Sequence, residues 1–173
     1  GTAIADKNNR YEAPQAKSAP VIDGKIDSVW NKAPWDSIPY TYLGTAPTAD
    51  DFSGRYKVMW DSSKEYLLVE IRDDSIGDHY PAALTNYWDD DAVEIFLDEN
   101  KNGGNHQYNF KAWDYHISTK VDPTDSMRHD VVDYGDDQAA HLYNDHFQIK
   151  RVQTGHVSIW EMRMLVYGED YTQ

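Results

Sequence analysis

Hydrophobic and polar positions alternate in short runs along most of the chain, and the runs are punctuated by turn residues. Arg55 to Trp60 alternates, with Tyr56, Val58 and Trp60 on one side. Tyr66 to Arg72 sets Leu67, Val69 and Ile71 against Leu68, Glu70 and Arg72. Asp61-Ser62-Ser63-Lys64 between them predicts a hairpin. Val93, Ile95 and Leu97 alternate with Glu94, Phe96 and Asp98, which predicts a strand with a carboxylate on its polar face. His106 to Ser118 reads as a further strand. Phe147 to Arg151 and Val157 to Val166 form a second hairpin across Thr154-Gly155, with Trp160, Met162, Met164 and Val166 on its core face. Near the start, Val21-Ile22 enters an Asp23-Gly24 turn, and Asp27 caps a short helix at 28–32 with Trp30 packed inward and Pro34 ending it. Ile38 to Leu43 is expected to be a strand, and 121–137, with five Asp, a loop. Many short strands with one short helix predict an all-β sandwich of antiparallel strands. Residues 1–17 read as an N-terminal arm or tail, and 18–173 as one domain.

At 173 residues the chain is long enough for a core of its own. Its formal net charge of −14 disfavours nucleic acid and anionic membrane as partners and suits neutral ligands and hard cations. No apolar run approaches the roughly 20 residues of a spanning helix, so membrane insertion is not expected. With no Cys, disulfides and thiolate chemistry are excluded. Thirteen Tyr and six Trp suit strands and surfaces that stack on ligands.

Candidate chemistry gathers at Trp88-Asp89-Asp90-Asp91, which runs straight into the Glu94 strand. An exposed Trp beside a strand-mounted Glu suits a sugar, whose apolar C–H face takes the ring and whose hydroxyls take the acid. A core Trp with a solvated Glu fits the same pattern, and the sequence leaves the choice open. Asp98, Asn100 and Asn102 at alternate positions before Gly103, and the group Asp73, Asp74 and Asp78, are oxygen-rich sets of the kind that bind calcium; solvated Asp turns have the same composition. No nucleophile elbow, phosphate loop or dinucleotide fingerprint occurs, and catalysis by this chain is not expected.

Several segments resemble one family in the right order: Val21-Ile22-Asp23-Gly24-Lys25-Ile26-Asp27-Ser28-Val29-Trp30, Tyr56-Lys57-Val58-Met59-Trp60-Asp61, Tyr66 to Asp74, Trp88 to Asp98, His106-Gln107-Tyr108 and Ile159-Trp160-Glu161-Met162-Arg163. Together they are similar to carbohydrate-binding module family 9, over about residues 17–167. The resemblance implies an immunoglobulin-like or jelly-roll β-sandwich of the DOMON-like group with structural Ca2+. It also implies a secreted or otherwise extracytoplasmic, non-catalytic module that serves a larger hydrolase and holds glycan ends between two tryptophans. Trp88 matches the first tryptophan and Glu94 a hydroxyl-binding carboxylate; Asn109 and Lys111 fall where further polar ligands come from the next strand. The second tryptophan is expected beyond Gln173, after further strands, with Trp113 as a substitute inside the chain. The alternatives are a family-9-like structural or interaction module without a sugar site, and a haem-binding DOMON-like domain using Met162 and Met164 or His106 and His116.

Overall fold

The computed structural model describes residues 10–103 and 110–173. It is all-β, with nine strands in two antiparallel sheets among the described residues and helix only as three short 3₁₀ turns. The all-β sandwich class expected from the alternation is therefore the class observed. The strands are β1 (Asp36–Ser37), β2 (Phe52–Trp60), β3 (Lys64–Asp73), β4 (Ala92–Leu97), β5 (Trp113–Asp122), β6 (Asp125–Tyr134), β7 (Ala140–Leu142), β8 (Phe147–Thr154) and β9 (Val157–Leu165). The chain divides into two compact units, the first reaching to Ser75 and taking in Ile149–Met164, the second formed by Ile76–Gln148 and Leu165–Gln173.

The first unit is built on the sheet ordered β1-β2-β3-β9-β8. The β2–β3 hairpin has the expected register, from Phe52 opposite Asp73 to Trp60 opposite Glu65. Its turn is tied by Asp61, whose carboxylate accepts from the Ser63 and Lys64 amides at 2.9 and 3.0 Å and from the Tyr66 hydroxyl at 2.6 Å. Met59 on β2, Leu68 on β3 and Trp160, Met162 and Met164 on β9 are buried. The β9 residues are the face the alternation picks out, whereas on β3 Tyr66 and Leu68 are enclosed and Leu67 and Ile71 only half-buried. Met162 and Met164 are thus enclosed in packing positions.

The 3₁₀ turn Ser28–Lys32 is capped by Asp27, which accepts from the Val29 amide at 2.9 Å, and it buries Trp30 completely. What makes this opening segment necessary lies far along the chain. Glu161, fully buried on β9, accepts from Trp30 Nε1 at 2.8 Å and from the Asp23 and Gly24 amides at 3.0 and 2.8 Å. Lys57 Nζ donates to the Trp30 carbonyl at 2.9 Å, and its burial pushes the ammonium pKa down.

Gly24 sits at φ +81°, and a Cβ there would run into Val152 Cγ2. Gly24→Ala combines left-handed strain with a steric conflict and is expected to cost about 1–3 kcal/mol in urea unfolding. A change within the noise of the measurement would show that the turn relaxes freely.

The described part of the arm is docked rather than loose. Ala16 N donates to the Trp60 carbonyl, Trp60 Nε1 to the Ala13 carbonyl and Tyr11 OH to the Pro34 carbonyl, all within 3.0 Å. Ile38 to Leu43 is not the expected strand. The ladder with β2 ends after Ser37 and one last bond from Ile38 N to Gly54 O, because Pro39 has no N–H to continue it. Tyr40, Tyr42 and Leu43 are consequently exposed.

The second unit holds the sheet ordered β4-β5-β6-β7. The expected loop over 121–137 is in fact mostly β6, hairpinned with β5. Its buried polar residues His129 and Asp133 hide the strand period, and its aspartates serve turns: Asp122 accepts from Thr124 N and Oγ1 at 2.7 and 2.6 Å. The strand expected from His106 begins at Trp113; residues 104–109 lie outside the described residues. Trp113 is buried between Phe110 and Tyr115, whose rings stack on it at centroid distances of 4.8 and 5.0 Å. Tyr143, His146 and Tyr171 meet it edge-on, and its Nε1 donates to the Tyr167 carbonyl at 2.9 Å. Trp113 is therefore a core residue and not a second stacking platform.

Candidate functional site

The acids of the Trp88 signature build the site's support. Asp91 accepts from the Gly77 amide at 2.6 Å and returns its own N–H to the Gly77 carbonyl at 2.8 Å. Asp90 accepts from the His79 and Tyr80 amides at 2.5 and 3.2 Å. Lys120 on β5 reaches Asp78 at 2.9 Å, Asp90 at 3.7 Å and the Tyr80 carbonyl. Burial pushes the Asp90 carboxyl up, but the His79 and Tyr80 amides and Lys120 outweigh it and hold the group below the usual carboxylate range. The hydrogen bond from Lys120 to Asp78, partly opposed by desolvation, holds that ammonium above its usual pKa. The loop ahead of β4 is thus pinned through side chains.

From this support rises the 3₁₀ turn Tyr87–Asp89, opened by Asn86 in the left-handed region at φ 48°. Tyr87 packs edge-on against His116 at 5.1 Å and against Trp88 at 5.2 Å. Trp88 itself is 57% exposed. Glu94 is exposed on edge strand β4, directly opposite His116 on β5, and its Oε1 lies 3.0 Å from His116 Nδ1. Burial lowers the His116 pKa, with the Glu94 charge opposing it.

An open depression of about 400 Å³ takes Tyr87 and Trp88 from the turn, Glu94 from β4, Asp114 and His116 from β5, and Asp133 and Tyr134 from β6. That volume suits a small ligand. The structure therefore brings together Trp88 and Glu94, as expected. It places Lys111 elsewhere: the residue lies in the turn before β5, 3.8 Å from Glu169. Asn109 lies outside the described residues. Alternation in β5 carries a signal for the unforeseen members, because Asp114 and His116 are the polar positions between Trp113, Tyr115 and Ile117. Asp133 gives no such signal, since it occupies a buried position of a strand disguised by acids.

Asp133 is 4% exposed and accepts from the Asp114 and Tyr134 amides at 2.8 and 2.6 Å. Desolvation outweighs those bonds and, with the Asp114 charge, pushes its pKa up to about 7. A carboxyl raised in the folded state binds more protons there than when unfolded. Its contribution to stability is therefore full below the unfolded pKa and is lost as pH rises through about 7, a change on the order of 4 kcal/mol. His116 and His146, both lowered by burial, act in the opposite sense. The Asp133 contribution should therefore be read as the difference in urea-unfolding stability between the parent and Asp133→Asn from pH 4 to pH 8. The parent should lose stability relative to the variant as pH rises. A constant difference would refute the raised pKa.

The oxygen-rich loops satisfy themselves. Asp98 accepts from the Asn100, Lys101 and Gly103 amides at 3.3, 2.7 and 2.8 Å, and Asn100 Oδ1 from the Asn102 amide at 2.9 Å. Asn102 Nδ2 reaches Glu169 at 3.3 Å. Asp73 accepts from the Ser75 amide at 3.0 Å, and the Asp74 amide donates to the Asp51 carbonyl at 3.2 Å. Among the described residues no three His, Asp or Glu side chains gather as a metal cage. In this conformation the loops fit a cation only by exchanging these internal bonds.

Two antiparallel sheets, with an aromatic-and-acid depression on the second, make an all-β domain. The sequence model of the carbohydrate family 9 binding domain-like family matches residues 22–169, and the chain belongs to that family of non-catalytic binding modules. Among curated relatives, an exoglucanase XynX from Acetivibrio thermocellus is 35% identical over 81 residues, and an endo-1,4-beta-xylanase A from Thermotoga neapolitana 32% over 81 residues. Each alignment takes in 47% of this chain and only 7% of the relative's length. Among solved structures, a family 9 carbohydrate-binding module from Caldicellulosiruptor kristjanssonii in complex with glucose superposes with a TM-score of 0.58 at 23% identity, covering 91% of this chain and 70% of that one. A family 9 module from the same organism in complex with cellotriose superposes with a TM-score of 0.54 at 23% identity, covering 91% of this chain and 68% of that one. No described helix is long and apolar enough to cross a membrane.

Proposed function

We propose that this domain binds carbohydrate at the Trp88 depression without transforming it, as an accessory module of an extracytoplasmic polysaccharide-degrading enzyme. The observation that carries the reading is a 57% exposed Trp88 beside Glu94 in a depression of about 400 Å³. A Trp ring offers a rigid flat surface to the C–H face of a pyranose at little entropic cost. The Glu94 carboxylate makes charge-assisted hydrogen bonds to its hydroxyls. The structural neighbours hold glucose and cellotriose, and the curated relatives are a glucanase and xylanases, which supports a plant-type glycan as the ligand class.

The test is intrinsic tryptophan fluorescence during titration with glucose and cello-oligosaccharides. A saturable shift is expected; a flat response from folded protein would leave an interaction module without a sugar site. Structural calcium at the loop Asp98 to Gly103 is a second part of the proposal. Melting in calcium should exceed melting in EDTA, because the cation would replace hydrogen bonds within the loop by stronger cation–oxygen bonds. Identical melting curves would remove calcium from the account.

A further inference from the structure

We propose that His116 is a positioning residue of the Trp88 depression: it fixes the Glu94 carboxylate for sugar and ties it to the turn that carries Trp88. The inference rests on the carbohydrate reading and adds a residue that acts through another.

The two groups assigned to the sugar come from separate segments, Trp88 from the 3₁₀ turn and Glu94 from edge strand β4. An exposed glutamate has several rotatable bonds, and a ligand that must first order it gives up part of its binding free energy. A donor already on the carboxylate removes that cost. The β4–β5 register supplies one, because His116 lies directly opposite Glu94 and its Nδ1 is 3.0 Å from Glu94 Oε1. A carboxylate only accepts, so Nδ1 carries the proton of this contact, whatever the charge of the ring. Among the described residues the Glu94 carboxylate pairs with His116 alone. Lys120, further along β5, is committed to Asp78, Asp90 and the Tyr80 carbonyl.

His116 is fixed in its turn. It is 7% exposed, so the ring offers a ligand little surface of its own. Tyr87 packs edge-on against it at 5.1 Å, and the imidazole also hydrogen-bonds with the Tyr87 backbone. Tyr87 then meets Trp88 at 5.2 Å. Glu94, His116, Tyr87 and Trp88 form one connected set, which holds a strand carboxylate and a turn aromatic in a common geometry before the ligand arrives.

A ring that merely fills space under Tyr87 and a ring that orients Glu94 differ in what His116→Phe does. Phenylalanine keeps an aromatic against Tyr87 and removes the donor. The experiment is calorimetric titration of the parent, Glu94→Ala, His116→Phe and the double variant with glucose and cellotriose, beside thermal melts. His116→Phe should bind about five- to tenfold more weakly than the parent. In the Glu94→Ala background the same change should alter affinity by less than about twofold. Equal losses in both backgrounds, or none in either, would overturn the positioning role and leave the sugar reading standing. A long-range proton–nitrogen NMR spectrum of the parent tests the contact without a variant. His116 Nδ1 should be protonated, and a ring protonated at Nε2 alone would overturn the proposal. A folded parent that binds neither sugar would sink the carbohydrate reading and this role with it.

Discussion

Glu161→Ala should lose about 3–5 kcal/mol of stability, a large share of the roughly 5–15 kcal/mol that holds a domain of this size together. The carboxylate is fully buried and is the shared acceptor for the Trp30 indole and for the Asp23 and Gly24 amides. Truncation removes a packed side chain and leaves three buried or half-buried donors without an acceptor, which costs more than the net worth of the bonds themselves. Burial pushes the Glu161 pKa up in spite of those donors, so desolvation of the charge is already part of the native cost. Glu161→Gln keeps the volume and one acceptor oxygen but turns an N–H₂ group toward donors. It should fall between parent and Ala. Urea unfolding of the three proteins checks the order, and a loss below about 1 kcal/mol in the Ala variant would mean that the opening segment does not depend on this carboxylate.

Trp88→Ala should weaken sugar binding by about thirtyfold or more, equivalent to about 2 kcal/mol, with melting nearly unchanged. The separation of the two readouts follows from position. The ring is more than half exposed and its packing is mainly an edge contact with Tyr87. The turn beneath it is held by Asp90, Asp91 and Lys120, none of which touches the indole in its pinning role. Equilibrium titration beside a thermal melt tests both halves. Unchanged affinity would remove Trp88 from the site; a collapsed melt would show that it supports the turn instead.

The class of fold and much of its detail follow from the sequence alone. Period-2 patterning, the Asp61 turn, the Asp27 cap and the buried Trp160, Met162 and Met164 face all depend on neighbours within a few residues, where side-chain alternation and local hydrogen bonding act. Trp88 and Glu94 were legible for the same reason, being a loop aromatic and a mid-strand acid six residues apart. The errors have local causes as well. Pro39 ends a strand that its apolar neighbours suggest, and buried His129 and Asp133 conceal one that exists. What only the tertiary structure decided are the partnerships across sequence. Glu161 gives the Asp23-Gly24 turn and Trp30 their purpose, and β4–β5 register sets Glu94 against His116. β6 brings Asp133 to the depression beside Asp114. The acids at Asp90 and Asp91 spend their oxygens on loop amides rather than on a ligand. Residue spacing cannot reveal these pairings, because register and burial are set by which strands meet, and a carboxylate's role depends on the donors and the dielectric it meets there.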